Sequence, residues 1–122
     1  MVVRTAMPPL RSLAEKCGIY IGTALERVPL DIQNYASTLK RKFNMLTTEN
    51  ALKFSIIHPQ PNAYSFSDAD HMINFAESDG MKVRGYTLVW HEQLPEWVLQ
   101  RKYAREEWIN ILREPAPSLR GA

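Results

Sequence analysis

Hydrophobic positions along the chain fall into short blocks of two kinds that alternate. Leu10, Leu13, Ala14 and Cys17 keep helical spacing after Pro8 and Pro9, and Gly18 follows, which predicts a helix over roughly 9–17. Ile19-Tyr20-Ile21-Gly22-Thr23-Ala24 is short, apolar and partly β-branched, as a buried strand is. Ile32, Tyr35, Ala36, Leu39 and Phe43 then recur on one face of a helix. Asn44-Met45-Leu46-Thr47 predicts a second strand, followed by a Pro-containing loop from His58 to Asn62. A helix starts at Ser67, with Asp70 three places on, Gly80 at its far end, and Ala69, Met72, Ile73 and Ala76 on its buried face. Lys82 to Trp90 predicts a third strand, and Ala104, Trp108, Ile111 and Leu112 a last helix that Pro115 ends.

Alternating buried strands and amphipathic helices predict an α/β fold of βαβ units around a parallel sheet. The strands begin near residues 19, 45 and 83, about 32 residues apart. Eight such units need about 256 residues, close to the roughly 250 of a (β/α)₈ TIM barrel. The 122 residues therefore hold about the first three βα units, and residues 1–114 read as that part of a barrel domain with 115–122 as a divergent, unstructured tail. Three parallel strands cannot close a barrel, so both sheet edges stay open and self-association through them is an expectation.

Charge and composition narrow the chemistry. Fifteen basic and thirteen acidic side chains leave a net charge of +2, and the run Lys40-Arg41-Lys42 is too short to track a phosphate backbone, so nucleic acid is not an expected partner. No uncharged apolar run reaches about 18 residues, so no membrane partner is expected, and Met1 to Leu10 does not read as a secretory leader. The single Cys17 forms no internal disulfide and reads as a small buried side chain. His58 and His71 read as solvent-exposed, and His91-Glu92 lacks the second histidine of a His-Glu-x-x-His zinc helix, so no metal site is expected. Neither a glycine-rich phosphate loop nor a Gly-x-Ser-x-Gly nucleophile motif is present, and no cofactor is implied.

In parallel α/β folds, ligand chemistry collects beyond the carboxyl ends of the strands. Strand two runs into Thr47-Thr48-Glu49-Asn50 with Lys53 beyond, and strand three into Trp90-His91-Glu92-Gln93. Adjacent strands bring both groups to one rim. Carboxylate, amide and ammonium groups beside an indole suit a polyhydroxylated ligand, whose hydroxyls need paired donors and acceptors and whose ring packs on an aromatic face. The plainer alternatives are that Glu49 and Asn50 cap the next helical turn and that Trp90 only packs. Glu49 and Glu92 could also form an acid and base pair.

Several ordered segments carry a family resemblance: Gly18-Ile19-Tyr20-Ile21-Gly22-Thr23-Ala24; Phe43-Asn44-Met45 with Thr48-Glu49-Asn50 and Lys53; Phe66-Ser67-Asp68-Ala69-Asp70; Gly80-Met81-Lys82-Val83-Arg84-Gly85; and Thr87-Leu88-Val89-Trp90-His91 with Gln93-Leu94-Pro95. Over roughly residues 10–113 the chain resembles the amino-terminal third of family 10 glycoside hydrolases, the endo-1,4-β-xylanases, whose fold is a (β/α)₈ barrel. The resemblance implies that Glu49, Asn50 and Lys53 hydrogen-bond xylose units on the non-reducing side of the cleaved bond. It likewise implies that Trp90 lines the cleft, Gln93 is a further sugar-binding amide and His91 lies near the site. Xylan or xylo-oligosaccharide is the implied partner, and secretion the implied location.

Two departures stand out. Tyr86 occupies a position where the family commonly has a histidine that contacts the sugar, and Glu92 one that is commonly Ser. The family also uses two glutamates, an acid/base in a Trp-Asp-Val-Val-Asn-Glu-like motif after strand four and a nucleophile after strand seven, and neither motif occurs in these residues. The resemblance thus implies a glycone-binding portion without catalytic residues, which retaining hydrolysis by two carboxyls requires. The alternative from another class is a non-catalytic module that binds xylo-oligosaccharide or assembles through its open edges.

Overall fold

The computed structural model describes residues 6–87 and 89–113. The tail expected over 115–122, and the boundary at residue 114, lie outside the described residues. Helix α1 (Leu10–Lys16) leads into strand β1 (Gly22–Leu25), a 3₁₀ turn (Val28–Asp31) and α2 (Gln33–Lys42). Strand β2 (Met45–Thr48) is followed by the short α3 (Phe54–Ile57) and by α4 (Ser67–Ser78). Strand β3 (Lys82–Arg84), the short α5 (Glu96–Leu99) and α6 (Arg105–Arg113) complete the order. The strands form one parallel sheet in chain order, β1-β2-β3, in the strand–helix–strand arrangement the spacing predicts.

Alternation along β2 sets the layers. Leu46 and Thr48 are fully buried while Met45 and Thr47 are half-buried, because successive side chains point to opposite faces. Leu46 joins Leu25 of β1, Leu39 of α2, and Ala69, Met72 and Ala76 of α4 in one apolar cluster, so helices cover that face of the sheet. The expected face of α4 is therefore the buried one, with Ile73 only half-buried. Phe66 precedes this helix without a side-chain cap, so the capping pair of Ser67 and Asp70 does not form.

The ends of two helices follow the glycine rule. Gly18 and Gly80 have φ of 67° and 66°, the left-handed conformation that places the following N–H back over the last turn. Ile19 N–H donates to the Ala14 carbonyl at 3.0 Å, and Met81 N–H to the Ala76 carbonyl at 2.8 Å. Between these two turns sits Arg11. Its guanidinium donates to Glu15 Oε1 at 2.8 Å, to Asp79 Oδ2 at 2.7 Å and to the carbonyls of Asp79 and Lys40, which ties α1 to the ends of α2 and α4. The hydrogen bond to Glu15 and the Asp79 charge outweigh partial burial and raise the Arg11 pKa further.

Four expectations need correction. Strand β1 starts at Gly22, not at Ile19: Ile19 and Tyr20 are exposed, and the Asn44 side chain substitutes for a ladder there, accepting from Ile21 N–H at 2.7 Å and donating to the Ile19 carbonyl at 3.1 Å. Cys17 is exposed, because it caps α1 and only Ala14 of that helix is buried. β3 stops at Arg84 rather than continuing to Trp90, and Gly85, Tyr86 and Thr87 lie outside the sheet. His58 is fully buried, although it lies in a proline-containing loop.

Candidate functional site

Register determines which residues meet. Leu25 pairs with Thr48 and Thr47 with Arg84, so all three strands end at one level and the chain leaves each of them at the same rim. Glu49 N–H extends the ladder by one bond, 2.9 Å to the Leu25 carbonyl. Beyond it, the turn to α3 buries Ala51, Leu52, Lys53 and Phe54 in succession.

Lys53 is the centre of this rim. Its Nζ donates to Asn50 Oδ1 at 2.6 Å and lies 5.0 Å from the centre of the Trp90 ring. The side chain of Lys53, a buried residue, gains from such partners, and a cation over an indole contributes about 0.5–2 kcal/mol. Asn50 Nδ2 donates in turn to Glu26 Oε1, so a continuous path runs from the end of β1 through Asn50 and Lys53 to Trp90. The capping alternative fails for Asn50: its side chain is taken up by Glu26 and Lys53, and α3 starts after Lys53 with no side-chain cap. Glu26 escaped the sequence reading, although the rule applied to strands two and three, that chemistry follows the strand end, points to it equally.

An aromatic cluster supports the rim from below. The His58 ring stacks on Tyr64 with centroids 4.3 Å apart, meets Phe54 edge-on at 5.5 Å and Trp97 at 4.8 Å, and its Nε2 lies 3.1 Å from the Pro61 carbonyl. Trp97 Nε1 donates to the His58 carbonyl at 3.0 Å, and Tyr103 Oη to the Trp97 carbonyl at 2.8 Å. Phe54, shared with this cluster, also lines a cavity of about 340 Å³ with Trp90, Leu94, Val98 and Trp108. Trp90, half-buried, thus has one aromatic wall set by packing and a cation on it.

The β3 side of the rim is looser. His91 and Glu92 are 82% and 62% exposed and lie 3.7 Å apart, and the His91 ring meets the Trp90 ring edge-on with centroids 6.0 Å apart. Gln93 is exposed with φ of 53°, and its carbonyl accepts from Ser55 N–H at 3.2 Å, which anchors the loop to α3 while leaving the side-chain amide free to reach solvent. The Glu49 side chain is likewise exposed. The structure therefore joins Asn50, Lys53 and Trp90 and leaves Glu49, His91 and Gln93 around them. Tyr86 lines a separate cavity of about 630 Å³ with Leu52, Ile73, Met81 and Val83, between α4 and β3. Among the described residues no three His, Cys, Asp or Glu side chains gather as metal ligands, and no helix is long and apolar enough to cross a membrane.

This arrangement can hydrogen-bond hydroxyls and hold a sugar ring against an indole. Endo-1,4-beta-xylanase B of Thermotoga neapolitana is 44% identical over 110 residues, which is 87% of this chain and 32% of that protein. Beta-1,4-xylanase of Dictyoglomus thermophilum is 51% identical over 78 residues, 64% of this chain and 22% of that protein. The crystal structure of xylanase 10B from Thermotoga petrophila RKU-1, in complex with xylobiose, superposes with a TM-score of 0.83 at 39% identity, covering 91% of this chain and 35% of that one. The chain thus spans about a third or less of the length of these relatives. The fold is the corresponding part of a (β/α)₈ barrel. The family model of glycosyl hydrolase family 10 matches residues 9–115, and with strand order, rim and relatives in agreement, the chain belongs to that family.

Proposed function

We propose that this chain is the glycone-binding portion of an endo-1,4-β-xylanase, taking xylo-oligosaccharide on the non-reducing side of the bond to be cleaved. Lys53 carries the reading: its ammonium, held between an amide oxygen and an indole face, presents a donor beside a stacking surface. Asn50, Lys53 and Trp90 form the inner contact, and Glu49, His91 and Gln93, all exposed, close on the sugar from outside. Xylobiose in the complex of the Thermotoga petrophila enzyme supports this ligand class.

Hydrolysis with retention needs a nucleophilic carboxylate and an acid/base about 5–5.5 Å apart. We infer that these 122 residues contain neither, since the Trp-Asp-Val-Val-Asn-Glu-like acid/base motif and the nucleophile motif that the family resemblance implies do not occur in them. The test is calorimetric titration of the 122-residue chain with xylotetraose beside reducing-sugar release from xylan. Binding that Lys53→Ala weakens by more than tenfold, with no release, is the expected outcome. Release that survives Glu49→Ala contradicts the inactive half of the proposal, and absence of binding contradicts the other half.

A further inference from the structure

Glu26 stands at the carboxyl end of β1, one residue past the Leu25–Thr48 pair that closes the β1–β2 ladder. It is half-buried, and its Oε1 accepts a hydrogen bond from Asn50 Nδ2. On the other side of the same amide, Asn50 Oδ1 accepts from Lys53 Nζ at 2.6 Å. An asparagine amide has one accepting and one donating end. An anion on one side and a cation on the other leave a single orientation in which both are satisfied, because the flipped amide would set its oxygen against the carboxylate and its NH₂ against the ammonium.

We propose that Glu26 is a positioning residue of the sugar-binding rim: its carboxylate locks the Asn50 amide, and through it the Lys53 ammonium over Trp90, before ligand arrives. The inference rests on the reading of this rim as a xylo-oligosaccharide site and adds to it a residue that touches no sugar. Locking the amide removes the rotamer freedom that binding would otherwise have to restrict. The energetic consequence is felt at Asn50 and Lys53 rather than at Glu26 itself.

The test compares the 122-residue chain with Glu26→Ala and Glu26→Gln by side-chain amide NMR, without and with xylobiose. Glutamine keeps an acceptor oxygen at the same reach, so Glu26→Gln is expected to retain the Asn50 Nδ2 signals and to bind xylobiose within about threefold of the original chain. Glu26→Ala is expected to broaden or shift the Asn50 Nδ2 pair in the sugar-free protein and to weaken binding about tenfold, with backbone spectra reporting a retained fold. Unchanged Asn50 signals in a folded Glu26→Ala chain overturn the inference. Should Glu26→Ala fail to fold, Glu26→Met, which fills a similar volume without an acceptor, takes its place, and unchanged Asn50 signals in it overturn the inference. If none of the three proteins binds xylobiose, the sugar-site reading fails while the Asn50 signals of the free protein still decide whether Glu26 positions the amide.

Discussion

Where the chain leaves β2, it buries Thr48, Ala51, Leu52, Lys53 and Phe54 almost without interruption; where it leaves β3, Gly85, Tyr86, Val89, His91, Glu92 and Gln93 are all exposed. Both segments follow parallel strands, end at the same rim and carry polar residues suited to a sugar. The difference is in their neighbours. β2 is the central strand, with β1 on one side and β3 on the other, whereas β3 has one partner and an unpaired outer edge among the described residues. A loop beyond a strand paired on both sides can be packed and hydrogen-bonded from two directions, and here Glu26 from one side and Trp90 from the other do so. A loop beyond an edge strand is packed from one side only. Half of the rim is thus organised by the residues present, and half keeps its side chains in solvent.

The largest effect that sharpens this contrast is in the core. Leu46→Ala on β2 removes a side chain with no exposed surface and should cost about 2–5 kcal/mol, while Val83→Ala on β3, half-buried, should cost about 1 kcal/mol or less. Urea denaturation of the two variants measures both, and equal costs would erase the distinction. Next is the rim itself: Lys53→Ala should weaken xylobiose binding by more than tenfold, corresponding to a charged hydrogen bond of about 1.5–3 kcal/mol, and His91→Ala by less than threefold. Calorimetric titration compares them, and the reverse order would move the site to the β3 side. Arg11→Ala, which unties α1 from the ends of α2 and α4, should lower unfolding stability by about 1–2 kcal/mol without altering xylobiose affinity. Smallest is Glu92→Ala, expected within about 0.5 kcal/mol by thermal melting because that side chain is mostly in solvent.

The same contrast explains what could be read from the sequence. The starts of β2 and β3 and both faces of α4 follow from hydrophobic spacing, because each is decided by burial against elements within the chain. The continuation of β3 to Trp90 did not materialise: Thr87 and Val89 are β-formers, but a strand needs a partner at that level, and β2 ends at Thr48. Ile19 to Ile21 is the mirror case at the other end of the sheet, where Asn44 meets the backbone through its side-chain amide and one backbone N–H rather than through a strand. For the site, the rule that chemistry follows strand ends located Asn50, Lys53 and Trp90, and the family resemblance assigned them a sugar. Neither could find the burial of His58, which depends on Phe54, Tyr64 and Trp97 arriving from three separate segments with no shared period. Helices α3 and α5, of four residues each, are too short to carry a helical pattern.

A chemical-shift map of the 122-residue chain titrated with xylobiose tests the organised half of the rim most directly. Saturable shifts centred on the Asn50 side-chain amide, the Lys53 backbone and the Trp90 indole Nε1–H, with smaller ones at His91 and Gln93, are the expected result. Shifts confined to 85–93, or none at these three residues at saturating sugar, would contradict a preformed glycone site on the β2 side.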